Sequence, residues 1–124
     1  MKYFVLVDSV LPSCCMMKKE GTELYSYDED FGDYIHDDPL DEQDETYRVV
    51  FQTDNEEEAI KNLKIAKSYV TAMSRLISAQ KELNKMSSMG VDICTDYSKQ
   101  VDRIMKDLYG KFMEKKPKPS KVMK

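Results

Sequence analysis

The sequence predicts an α+β fold, a small antiparallel sheet of two or three strands followed by a long C-terminal αα-hairpin. Three features point to it. Lys2 to Asp8 is a nearly unbroken run of β-branched and aromatic residues, and Thr46 to Thr53 is a second such run. From Ala59 onward the apolar residues recur every three or four positions instead.

The first run is apolar on successive residues, as a strand buried on both faces requires. Leu11-Pro12 ends it, because proline removes a ladder donor and restricts its predecessor. Gly21 and the Thr22 to Tyr27 segment suggest a weaker strand, its alternation broken by the adjacent Leu24 and Tyr25. Asp28 to Glu45, with Gly32, Pro39 and many aspartates, reads as loop. The Thr46 to Thr53 strand should place Tyr47, Val49 and Phe51 on one face and Arg48, Val50 and Gln52 on the other.

Thr53 with Glu56 three residues later forms a capping box, and Glu56, Glu57 and Glu58 sit where a helix dipole favours anions. The periodic pattern predicts a helix from Asn55 to Ser87, roughly 50 Å long at the standard rise. Gly90 breaks it. A second helix is expected over Asp92 to Glu114, with Tyr97, Val101, Ile104, Leu108 and Phe112 as its apolar stripe. The short link makes the pair an antiparallel hairpin. Residues 1–114 are thus one α+β domain with an acidic loop at 20–45, and 115–124 form a basic, mobile tail broken by Pro117 and Pro119. Two such helices exceed what a small sheet covers. Tyr69, Met73, Leu76 and Ile77 are therefore the residues expected at a homodimer interface, unless the chain's own core wraps around them.

The chain of 124 residues, 41% apolar and 34% charged, is one domain's worth of globular protein, neither disordered nor fibrous. Its apolar runs, such as Phe4 to Val7 and Cys14 to Met17, fall far short of a bilayer span. Asp8 interrupts the N-terminal apolar run and no small-residue cleavage site follows, so no signal peptide is expected and the chain reads as cytoplasmic, with no membrane partner.

Charge is the most distinctive feature. The net charge of −4 divides into −13 over residues 1–58 (17 acids, 4 bases) and +9 over residues 59–124 (6 acids, 15 bases). Between Glu20 and Glu45 stand 12 carboxylates and no Lys or Arg. Such a division speaks to partners and solubility.

Enzymatic chemistry finds little footing. The one histidine, His36, lies beside Asp37 and Asp38 and has no nucleophile elbow or cysteine-protease motif to accompany it. Cys14 and Cys15 are adjacent and Cys94 stands alone, spacings unlike those of structural zinc sites. Asp28, Asp30 and Gly32 resemble the opening of a calcium loop, but the sixth and twelfth positions hold Asp33 and Pro39 where an EF-hand needs Gly and Glu. The four glycines make no phosphate loop. No catalytic residue, metal site or cofactor is expected, and the chain reads as a non-enzyme.

The acidic stretch suggests a contact with a basic surface of another protein. Fully extended, its 26 residues would span about 86 Å at ~3.3 Å each, or one carboxylate per ~7 Å. A nucleic acid strand carries one phosphate per ~3.4 Å, so mimicry requires the segment to fold back on itself. Aromatic residues interleave with the acids and would supply contact area while the acids steer. The expected partner-binding residues are Tyr25, Tyr27, Asp28, Glu29, Asp30, Asp33, Tyr34, Asp37, Asp38, Asp41 and Glu42. The chain thus reads as a protein-interaction module whose acidic loop engages a basic partner, such as a nucleic-acid-binding protein that it would inhibit as a nucleic-acid mimic. Two alternatives stand beside it. One is a homo-oligomeric structural or adaptor protein working through the helical hairpin. The other is a weak, non-specific nucleic-acid binder using the C-terminal lysines, disfavoured because arginine is scarce and the acidic half competes.

Overall fold

A computed structural model of the chain describes residues 1–10, 14–22, 24–36 and 46–119. The architecture is α+β. Strands β1 (Tyr3–Asp8), β2 (Cys15–Lys19) and β5 (Tyr47–Thr53) form an antiparallel sheet of order β2-β1-β5. Strands β3 (Tyr25–Asp28) and β4 (Asp33–His36) form a separate antiparallel hairpin, and helices α1 (Glu56–Ser88) and α2 (Ile93–Met113) follow.

The central position of β1 explains its composition. Phe4 to Asp8 are all buried, the odd-numbered valines on one face and Phe4 and Leu6 on the other. Val5 and Val7 pack with Met17 against Ala59, Leu63, Ala66 and Val70 of α1. Phe4 and Leu6 pack with Val49, Met16 and Tyr47 across the sheet. Strand β2 is absent from the sequence expectation, because Met and Lys favour helices in isolation. Its state is set by pairing, Val5 opposite Met17 and Leu6 opposite Met16, which overrides propensity.

Strand β5 differs from strict alternation. The register runs Leu6 to Val49 and then Val5 to Phe51, so Val50 is an extra residue in a bulge. The bulge reverses the phase of the strand. Tyr47 and Val49 keep to the Phe4 face, while Phe51, expected beside them, joins Val50 on the helix side. The outer edge of β5 is not bare: Val49 N–H donates to the Pro117 carbonyl at 2.9 Å, and Pro119 is buried. Pro117, in the segment expected as a tail, is thus bonded to this edge, and Lys115 before it lies in the left-handed region at φ 64°. Residues 120–124 lie outside the described residues.

The cap of α1 is Asn55, whose side chain accepts the Glu58 N–H at 3.1 Å. The expected cap, Thr53, sits two residues earlier, accepting the Asn55 N–H and donating to the Glu58 carboxylate. Gly90 turns the chain between the helices at φ 100°, where a side chain would be strained.

The helices meet in an antiparallel hairpin. Near the sheet, Tyr69 stacks on Phe112 with ring centroids 4.3 Å apart. Toward the tip the contact turns polar: Gln80 donates to the Ser98 carbonyl, Ser98 Oγ donates to Asn84 Oδ1, and the Ser87 and Thr95 hydroxyls meet. The seam of α2 runs through Cys94, Ser98, Val101, Met105, Leu108 and Phe112. Tyr97 and Ile104, of the expected apolar stripe, are exposed.

Candidate partner-binding site

The acidic segment read as loop contains a structured hairpin. Strands β3 and β4 pair Tyr25 with His36, Ser26 with Ile35, Tyr27 with Tyr34 and Asp28 with Asp33. Aspartate chemistry builds the turn between them. Asp28 Oδ1 accepts the N–H groups of Asp30 (2.8 Å) and Phe31 (3.1 Å), and the Asp28 carbonyl accepts the Gly32 N–H at 2.9 Å. Gly32 supplies the left-handed residue at φ 65°.

Three residues of the hairpin, Ser26, Tyr34 and Glu29, fasten it to the domain. Ser26 Oγ accepts a hydrogen bond from the fully buried Lys18 Nζ at 3.1 Å. Tyr34 donates to Glu56, in the first turn of α1, at 3.2 Å, and its ring carries Lys19 Nζ at 4.4 Å and meets Tyr27 edge-on. Glu29 pairs with Lys67 of α1 at 2.7 Å. The exposed ends of the hairpin thereby rest on a framed base.

The fastening residues differ from those facing solvent. Tyr27 and Tyr34, expected to touch a partner, are half-buried against the core and serve to anchor the hairpin. Glu29 is consumed by Lys67. Tyr25, Asp30 and Asp33 are exposed, and Asp28 is partly so. Two apolar groups outside the expected set join them: Phe31 at the turn, 77% exposed, and Ile35, 42% exposed. The sequence signal for Phe31 is its place among the aromatics that interleave with the acids, next to Asp30. Asp37, Asp38, Asp41 and Glu42 lie outside the described residues. Tyr69 and Met73, expected between copies, belong to the chain's own core at 6% and 8% exposure; Leu76 and Ile77 are half-buried.

Among the described residues, the ion pairs are Glu29 with Lys67 and two exposed pairs within α2, Asp102 with Lys106 and Asp107 with Lys111. None involves Asp28, Asp30 or Asp33. Among the described residues, no lysine or arginine is in ion-pair contact with these three carboxylates.

A cleft of about 570 Å³ opens beside Lys67, lined by Cys14, Cys15, Met16, Tyr47, Val70 and Thr71. Burial pushes the Cys15 thiol up, against an opposing pull from Lys67. A thiol held protonated is a poor nucleophile and a poor metal ligand. No cluster of three metal-ligating side chains occurs among the described residues, and no described helix is long and apolar enough to cross a membrane.

Burial and the neighbouring Glu56 carboxylate push the Tyr34 phenol well above its ordinary value. The Glu29 hydrogen bond raises Lys67 in the same sense. Both groups are protonated in the fold, so the unfolded chain loses its protons first as pH rises. Stability is expected to fall above about pH 10, the ordinary tyrosine value. In urea titrations across that range, Tyr34→Phe should show a shallower decline than the parent. Identical slopes would show that Tyr34 is not a source of the dependence.

No protein-family model matches the chain, and neither does any curated protein or any solved structure.

Proposed function

We propose that the protein is an interaction module that presents the β3–β4 hairpin to a basic surface of a partner protein. The observation that carries this is one fastened hairpin bearing three carboxylates with no ion pair among the described residues, beside the exposed rings of Phe31 and Tyr25. Carboxylates steer a cationic partner from a distance, and exposed aromatic rings add contact area at low entropic cost. A basic groove that ordinarily holds nucleic acid fits this chemistry, because such grooves are built to accept closely spaced anions. Asp28 directly opposite Asp33 supports the reading further. Like charges paired across strands destabilise a hairpin, a cost that binding an external cation removes.

The test uses an isosteric change. Asn in place of Asp keeps the side-chain oxygen that holds the turn while removing the charge. The combined Asp28→Asn, Asp30→Asn, Asp33→Asn chain should therefore keep its circular dichroism and lose partners captured by the parent. A nucleic-acid-handling partner should also be released from the parent by added DNA or RNA duplex. Undiminished capture by the neutralised chain would remove the hairpin as the contact.

A further inference from the structure

The outer side of the helical hairpin is a second surface, and it shares no residue with the acidic hairpin. Helix α1 carries two apolar heptad series. The series Ala59, Leu63, Ala66, Val70 and Met73 is buried in the core. The other runs through Ile65, Ala72, Leu76, Ala79, Leu83 and Met86. Its members Ile65, Ala72, Ala79 and Met86 are exposed, although Tyr69 of the same series is buried.

At about 100° per residue, Ala72 projects about 180° from Leu63, and Ala79 about 180° from Val70. Leu63 and Val70 face the sheet, so Ala72 and Ala79 point away from it, while Tyr69 and Leu76 of the same series still reach the core. The same holds on α2. Met113 packs in the core, and Ile104 lies about 180° around the helix from it, with Tyr97 and Ile93 about 160° around. The two helices therefore present one apolar face away from the sheet. Two seams on one helix are what a helix with neighbours on two sides requires, and among the described residues only one side is filled.

We infer that this face is the contact between two copies of the chain, which join into a four-helix bundle. Size supports a second copy. Ile65, Met86, Ile93, Tyr97 and Ile104 each retain between 42% and 56% of their surface in solvent. With the two alanines and the half-buried Leu83, the face amounts to roughly 600 Å², the upper end of the ~300–600 Å² patch of an ordinary monomer. It approaches the ~800 Å² per partner of a stable interface.

Charge selects the same occupant. The rims carry both signs, Arg75 and Glu82 on α1 and Asp107 and Lys111 on α2. An anionic membrane would call for a uniformly basic rim. A two-fold axis parallel to the helices lays α1 of one copy antiparallel on α2 of the other, at unchanged height. Tyr69 opposite Phe112 and Asn84 opposite Ser98 set the level of the helices. Arg75 then stands level with Asp107, and in the bundle it meets the partner's Asp107. Within one chain the two lie on opposite rims, and among the described residues Asp107 pairs with its neighbour Lys111, at 3.1 Å.

Sedimentation equilibrium of the full chain tests this. The parent should sediment at twice its 14.5 kDa mass at about 100 μM, well above a micromolar dissociation constant. Ile104→Arg, at a position already 53% exposed, should keep the helical circular dichroism and sediment at 14.5 kDa. Arg75→Glu should weaken the dimer at least tenfold, and Arg75→Glu with Asp107→Arg should restore it. A 14.5 kDa parent overturns the inference, as does a dimer that survives Ile104→Arg. Flotation of a monomeric parent with phosphatidylserine vesicles would overturn it in favour of a lipid surface.

Discussion

Tyr69→Ala is expected to lower the unfolding free energy by about 3–5 kcal/mol, the cost of truncating a buried aromatic side chain. Tyr69 is 6% exposed and stacks on Phe112 with an interplanar angle of 7°, at the point where both helices close over the sheet. Losing the ring removes one of the contacts by which α1 holds α2, and leaves a cavity among side chains already seated on β1 and β2. Stacking of this kind adds about 0.5–1.5 kcal/mol beyond the area term, which a double-mutant cycle with Phe112→Ala isolates. Urea titration of the purified variant reads the loss directly. The measurement also separates the two places Tyr69 could occupy. An interface residue would leave the stability of the monomer nearly unchanged when truncated and would halve the mass instead. A loss under about 1 kcal/mol would therefore return Tyr69 to the surface.

Neutralising Asp28, Asp30 and Asp33 together is expected to slow association with the captured partner by between ~10-fold and ~10³-fold at low salt, the range that steering contributes. The difference from the parent should shrink as salt rises, because the Debye length falls from ~10 Å at 0.1 M to ~3 Å at 1 M. Phe31→Ala should behave differently. It removes contact area without charge, so dissociation quickens while association stays close to the parent rate. Stopped-flow or surface-binding kinetics at two salt concentrations distinguish the two effects. A salt-independent loss in the aspartate variant would mean that the carboxylates act by local hydrogen bonding, and steering would be rejected.

How far the sequence was legible depended on whether a segment's state is local. Phe4 to Val7 is apolar enough to be buried wherever it lies, and the three- and four-residue rhythm after Ala59 allows only a helix. Asn55 and Thr53 both signal a helix start, and choosing between them took the actual backbone. Strand β2 was illegible because Met16, Met17, Lys18 and Lys19 have no strand preference until β1 lies beside them. Strand β4 was hidden for a related reason: four residues among acids pair only because the Asp28 turn returns them to β3. The phase of Phe51 depended on one bulged residue that no alternation rule anticipates.

The candidate site divides in the same way. Its acids and aromatics were visible as composition, yet Tyr27 and Tyr34 proved to be anchors and Phe31 and Ile35 the exposed apolar groups. By itself the sequence determined the class of fold, the helical hairpin and the separation of charge, since these follow from residue type and period. Only the tertiary structure decided which residues face outward, whether Glu29 or Asp30 spends its charge within the chain, and which stripe of α2 is covered. Those outcomes depend on register and on the angle between packed elements, and neither is encoded at any single position.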